Sequence, residues 1–199
     1  MTQTISALYD NFGAASAAVS ALERAGTSRS DISIVSSKSD ESHGKDHESD
    51  AAVDAEAGAG IGAAVGGIGG LLTGLGLMAI PGVGPVVAAG WLASTAAGAV
   101  AGAAVGGATG GLIGALTDAG VEESEAHVYA EGIRRGGTLV TARVSDNEAH
   151  ATRSILQQNK SVDIGSRGAA YRSSGWSAFD PAAPAYSADQ VARERTRIM

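Results

Sequence analysis

Ala126-His-Val-Tyr-Ala-Glu-Gly-Ile-Arg-Arg-Gly-Gly-Thr-Leu-Val-Thr-Ala-Arg-Val144 changes its hydrophobic period halfway along. Ala126, Tyr129, Ala130 and Ile133 recur at i, i+3, i+4 and i+7, one face of an amphipathic helix. Gly136 and Gly137 stop that helix, because glycine accepts the left-handed conformation that follows a last helical turn. From Leu139 to Val144 the period falls to two, with Val140, Ala142 and Val144 alternating with Leu139, Thr141 and Arg143, as in a half-buried strand. Ser145-Asp-Asn-Glu148 is a capping box for a further helix with Ala149, Thr152, Ile155 and Leu156 inward, and Val162 and Ile164 mark a last strand. The beginning of the chain repeats the plan. Thr4 to Tyr9 alternates as a strand, Asp10 or Asn11 caps a helix carrying Phe12, Ala15, Val19 and Leu22, Gly26 ends it, and Ile32, Ile34 and Val35 form a second strand. Two βαβ halves of this size predict an α+β fold, a ferredoxin-like four-stranded antiparallel sheet with helices on one face.

Between the halves the composition changes twice. Residues 39–56 hold seven carboxylates against Lys45, so this linker carries −6 of the formal net charge of −7 in the 199-residue chain. Ala57 to Thr117 then runs for 61 residues without a charge and holds 19 of the 29 glycines. Gly58, Gly62, Gly66, Gly70 and Gly74 are spaced by four, and so are Gly98, Gly102, Gly106, Gly110 and Gly114. Spacing of four on a helix lines the glycines into a groove that another helix can approach closely. Pro81-Gly-Val-Gly-Pro85 separates the ladders with a turn. The expected organisation is therefore 1–38 as the first βαβ half, 39–56 as an acidic linker, 57–117 as a glycine-zipper helical hairpin, 118–166 as a helix plus the second βαβ half, and 167–199 as a flexible tail.

A helix that is apolar all round must be buried in something. At about 1.5 Å per residue, arms of 24 residues (Ala57 to Ile80) and 32 residues (Val86 to Thr117) suffice for a hydrocarbon core about 30 Å thick. The first expectation is thus association with membrane lipid, with the soluble domain on the cytoplasmic side, since the amino terminus has neither the basic nor the apolar region of a secretory signal. A soluble homo-oligomer whose hairpins share one core is the alternative, and a pore-forming or envelope-perturbing hairpin a third. Trp91 suits either an aromatic anchor at the far interface or a packing gap.

Other chemistries find little support in the residues. The acidic balance argues against nucleic acid as a partner. With no cysteine there is no disulfide framework, thiolate metal site or cysteine nucleophile. GxGxxG, GxxxxGK[ST] and GxSxG are missing, so the sequence predicts no enzyme, no cofactor and no small-molecule substrate. His43 and His47, four apart among carboxylates, would share a helical face suited to a divalent ion, but their Ser-rich acidic surroundings read as solvated linker. His127 and His150 fall on expected helices as exposed or partly packed residues. Glu122 and Glu123 at a helix start complement its dipole. In the tail, Ser187-Ala-Asp-Gln190 forms a capping box for an Arg-rich helix whose Arg193, Arg195 and Arg197 suit anionic lipid or the acidic linker.

Tyr129-Ala-Glu-Gly-Ile-Arg-Arg-Gly-Gly137 with the strand Thr138 to Val144 resembles a segment typical of bacterial general stress proteins, also known as heat-induced or low-temperature-induced proteins. Ile5 to Gly26 looks like the amino-terminal half of that domain, and the glycine hairpin and the Trp176-to-Pro184 tail resemble its longer members. The resemblance covers about 90 residues directly and implies a non-catalytic stress-response protein, with no functional residues to carry over.

Overall fold

The computed structural model describes residues 2–37, 76–95 and 111–198. Strand β1 (Thr2–Tyr9) leads into α1 (Phe12–Arg24), a short 3-10 turn (Arg29–Asp31) and β2 (Ile32–Ser37). After them come β3 (Gly76–Ile80), β4 (Gly84–Gly90), helical residues 91–95, and helices α2 (Leu112–Asp118) and α3 (Glu123–Arg134). The chain closes with β5 (Thr138–Ser145), α4 (Asp146–Gln158), α5 (Ile164–Ser173) and α6 (Ala188–Ile198). The architecture is α+β. Among the described residues all pairings are antiparallel, in one five-stranded sheet of order β1-β5-β2-β4-β3.

The expected local signals operate. Asn11 Oδ1 accepts the Ala14 N–H at 2.8 Å and caps α1. The Ser145 N–H donates to the Glu148 carboxylate at 3.1 Å at the start of α4. At the end of α3 the Gly136 N–H bonds the Ile133 carbonyl (2.9 Å) and the Gly137 N–H the Gly132 carbonyl (2.8 Å), a closure that needs the positive φ of 94° at Gly136. That closure turns the chain straight into β5, which lies between β1 and β2 and splits the β1–α1–β2 unit.

Three expectations about the architecture are corrected. First, helices cover both faces of the sheet. Ile5, Ala7, Tyr9, Ile34, Val140 and Ala142 pack with α1 and α4, whereas Leu8, Val35, Val86, Ala88 and Leu139 pack with α2 and α3. This is why β5 buries both of its alternating sets.

Second, Val162 and Ile164 form no strand. The Val162 N–H donates one bond to the Leu8 carbonyl (2.8 Å), and Asp163 then caps α5 by accepting the Ser166 N–H at 2.7 Å. Two apolar residues are too few to outweigh a cap.

Third, the turn at Pro81 joins strands instead of helices. Ile80 pairs with Gly84 and Gly76 with Ala88, while β4 pairs with β2 from Ser33↔Gly90 to Ser37↔Val86. A strand buried in a sheet covered on both sides reads as a continuous apolar run, which periodicity does not separate from a buried helix. Of the ten ladder glycines, Gly114 lies in α2, and Gly58, Gly62, Gly66, Gly70, Gly74, Gly98, Gly102, Gly106 and Gly110 lie outside the described residues, as do His43 and His47. Among the described residues no helix is long and apolar enough to cross a membrane.

Candidate assembly site

The carboxyl-terminal residues expected as a flexible tail are folded against the domain, on α3 and on the turn of the β3–β4 hairpin. Ser187 and Gln190 form the expected capping box: the Ser187 N–H donates to Gln190 Oε1 at 2.8 Å and the Gln190 N–H to Ser187 Oγ at 3.3 Å. The helix thus started, α6, buries Val191 against Gly136. Its charges then meet those of α3. Glu131 is completely buried and accepts from Arg135 Nε (2.6 Å) and Arg134 Nη1 (3.1 Å). Arg135 Nη1 passes on to Glu194 Oε1 at 2.8 Å, and Arg197 Nη2 reaches the same oxygen at 2.6 Å.

Aromatic rings close the cluster. The Arg135 guanidinium stands 4.2 Å from the Tyr171 ring centre, and that of Arg134 stands 4.8 Å from the ring centre of Tyr186. Burial alone would lower the Arg135 pKa, yet its bonds to Glu194 and Glu131 raise it above the usual value. Burial likewise opposes ionisation of Glu194, but Arg197 and Arg135 hold its pKa below the usual carboxylate value. Burial pushes the Tyr171 hydroxyl up. The segment Glu131–Gly136 is therefore the dock of the tail, and Arg195 completes it with a bond from Nη2 to the Gly136 carbonyl at 3.0 Å.

A second part of the tail locks the turn of the β3–β4 hairpin. A methyl group on Gly82 would stand 2.6 Å from the Asp180 carbonyl oxygen and 2.8 Å from Phe179 Cζ, and one on Gly84 would stand 2.5 Å from Ala185 Cβ. Phe179 is buried, and its N–H donates to His127 Nδ1 at 3.2 Å. Beside this contact is an apolar recess of about 280 Å³ lined by Ile80, Pro81, Gly114, His127, Phe179 and Pro181. Gly114, in α2, is half-buried in the lining of this recess.

Trp91 is half-buried on the sheet beneath the Arg143 guanidinium (4.8 Å), which also pairs with Asp31 at 3.1 Å, so it fills a packing gap. His150 is exposed on α4. Glu122 stands at the N-cap of α3 and accepts from the Ser124 hydroxyl at 2.8 Å, with Glu123 next to it in the first turn. Arg193 is exposed, whereas Arg195 and Arg197 bond within the dock. Sequence reasoning missed the dock, although the capping box, Val191 and the aromatic residues of the tail were its visible signals.

No protein-family model matches the chain, and no curated protein or solved structure matches it.

Proposed function

We propose that this is a non-catalytic assembly protein of the general stress type, in which a domain built on a ferredoxin-like split βαβ unit gathers copies of itself through its glycine ladders. The observation that carries this reading is the clamped turn at Pro81–Pro85. It lies in the middle of the uncharged run, so the two ladders flank a hairpin that belongs to the sheet. A single membrane crossing between two elements of one domain would strand the chain on the wrong side of the bilayer. Ladders packed against ladders, within a chain and between chains, avoid this and use the small-residue spacing.

A second reading, attachment to a membrane surface, is favoured by the absence of any charge between Ala57 and Thr117. Light scattering on the full-length chain separates the two. The assembly reading expects a defined oligomer without detergent, which Gly66→Leu combined with Gly106→Leu converts to monomer at unchanged circular dichroism. A wild-type monomer that sediments only with lipid vesicles would support the surface reading instead.

A further inference from the structure

Strand β1 is an edge of the sheet, and among the described residues no strand pairs with its outer side. The Leu8 carbonyl faces outward, since it accepts the Val162 N–H, and the unbroken register of β1 with β5 fixes the rest by alternation. Thr2, Thr4 and Ser6 therefore present their N–H and C=O groups away from β5. Tyr129 takes one of these, its hydroxyl donating to the Ser6 carbonyl at 3.2 Å. The other rungs open into a groove of about 760 Å³ between α4 and the start of α3. Ser6 lines it, and the buried Ser6 hydroxyl has no hydrogen-bond partner among the described residues. An exposed run of this kind is a template for strand addition unless something blunts it.

The charge of the groove selects the occupant. On the α3 side stand Glu122 and Glu125, and Glu125 is half-buried with no cationic partner among the described residues. Burial, with Glu125 adding to it, raises the pKa of the neighbouring Tyr129. On the α4 side Arg153, the one cation there among the described residues, is engaged with Gln3 Oε1 at 3.1 Å. A second copy added antiparallel about Thr4 keeps each face of the sheet on its own side, so it would bring Glu125 towards its own copy. A basic strand would instead neutralise that lip.

We infer that the β1 edge binds an extended peptide segment of another protein, with Lys or Arg at the alternate positions that face Glu122 and Glu125. This interaction surface is separate from the tail dock and from the ladders.

The test uses the full chain and two fluorescein-labelled peptides, Thr-Lys-Val-Lys-Val-Lys-Thr and its Lys-to-Glu counterpart, in fluorescence anisotropy. The basic peptide should bind at least tenfold more tightly, with affinity falling as salt rises. Thr4→Pro removes an outward N–H that β5 does not use, so it should abolish binding while leaving thermal unfolding nearly unchanged. Glu125→Lys should reverse the preference and leaves the backbone rungs intact, so it reports on the charge even if Thr4→Pro unfolds. Equal affinity for both peptides, no binding of either, or insensitivity to both variants overturns the proposal. So does dimerisation of the wild-type chain that Thr4→Pro abolishes, because a second copy would then hold the edge.

Discussion

The segments Tyr129–Gly137 and Gly76–Gly90 are both rich in glycine, and they fold by opposite rules. In the first, apolar residues recur with a helical period, charges mark other positions, and Gly136 and Gly137 stand at the end where the helix must stop. In the second there is no charge to mark a face and no polar residue to set a period. Its structure is decided by a partner, β2, that lies about fifty residues away in sequence. A glycine demanded by the local backbone can be read from sequence, whereas one inside an apolar run can serve a sheet as well as a helix.

The largest expected effect falls on the first segment. Glu131→Ala leaves two arginines facing a buried void and should destabilise the domain by about 3–5 kcal/mol in urea unfolding. A loss under about 1 kcal/mol would mean that water replaces the carboxylate and that the tail is not docked as described. The next largest contrasts the two uses of glycine. Gly82 has φ of 74° and no room for a methyl, so Gly82→Ala should cost about 1–3 kcal/mol, whereas Gly66→Ala keeps a small residue in its ladder and should cost well under 1 kcal/mol. Equal effects would remove the distinction. Ser187→Ala takes away the cap of α6 and should weaken the tail by about 1 kcal/mol, read as earlier proteolytic release of residues 187–198.

The smallest effect is one of pH. The folded-state pKa of Glu194 lies below its ordinary value of 4.5, so its contribution is complete above that value and is lost as pH falls through the lowered one. Trp176, whose ring packs edge-on against Tyr171 at 5.7 Å, should report loosening of the dock by a change in emission once pH drops below about 4.5. In a Glu194→Gln variant that step should disappear.

Much of the sheet was legible because its signals are local. The alternation in β1 and β5, the apolar Ile32, Ile34 and Val35 of β2, the caps at Asn11, Ser145 and Ser187 and the stops at Gly26 and Gly136 each involve residues within a few positions. The second helical layer was not legible, because Leu8, Val35 and Leu139 show their face only once α3 is known to lie across them. The dock was hidden for a related reason: Glu131 and Arg135 look like an ordinary exposed i, i+4 pair until Glu194 arrives from 59 residues on. The groove beside β1 could not be read at all, since which strand ends a sheet is a property of the topology.

That the middle of the uncharged run is a β-hairpin in the sheet can be checked by engineered cross-linking, in a chain that has no cysteine of its own. Val35 and Ala88 face each other across β2 and β4, and Ser6 and Thr141 across β1 and β5, both within reach of a disulfide. Val35→Cys with Ala88→Cys should oxidise within one chain as completely as the control Ser6→Cys with Thr141→Cys. A control that closes while the Val35 and Ala88 pair stays reduced would contradict it, and would return the run to a helical hairpin outside the sheet.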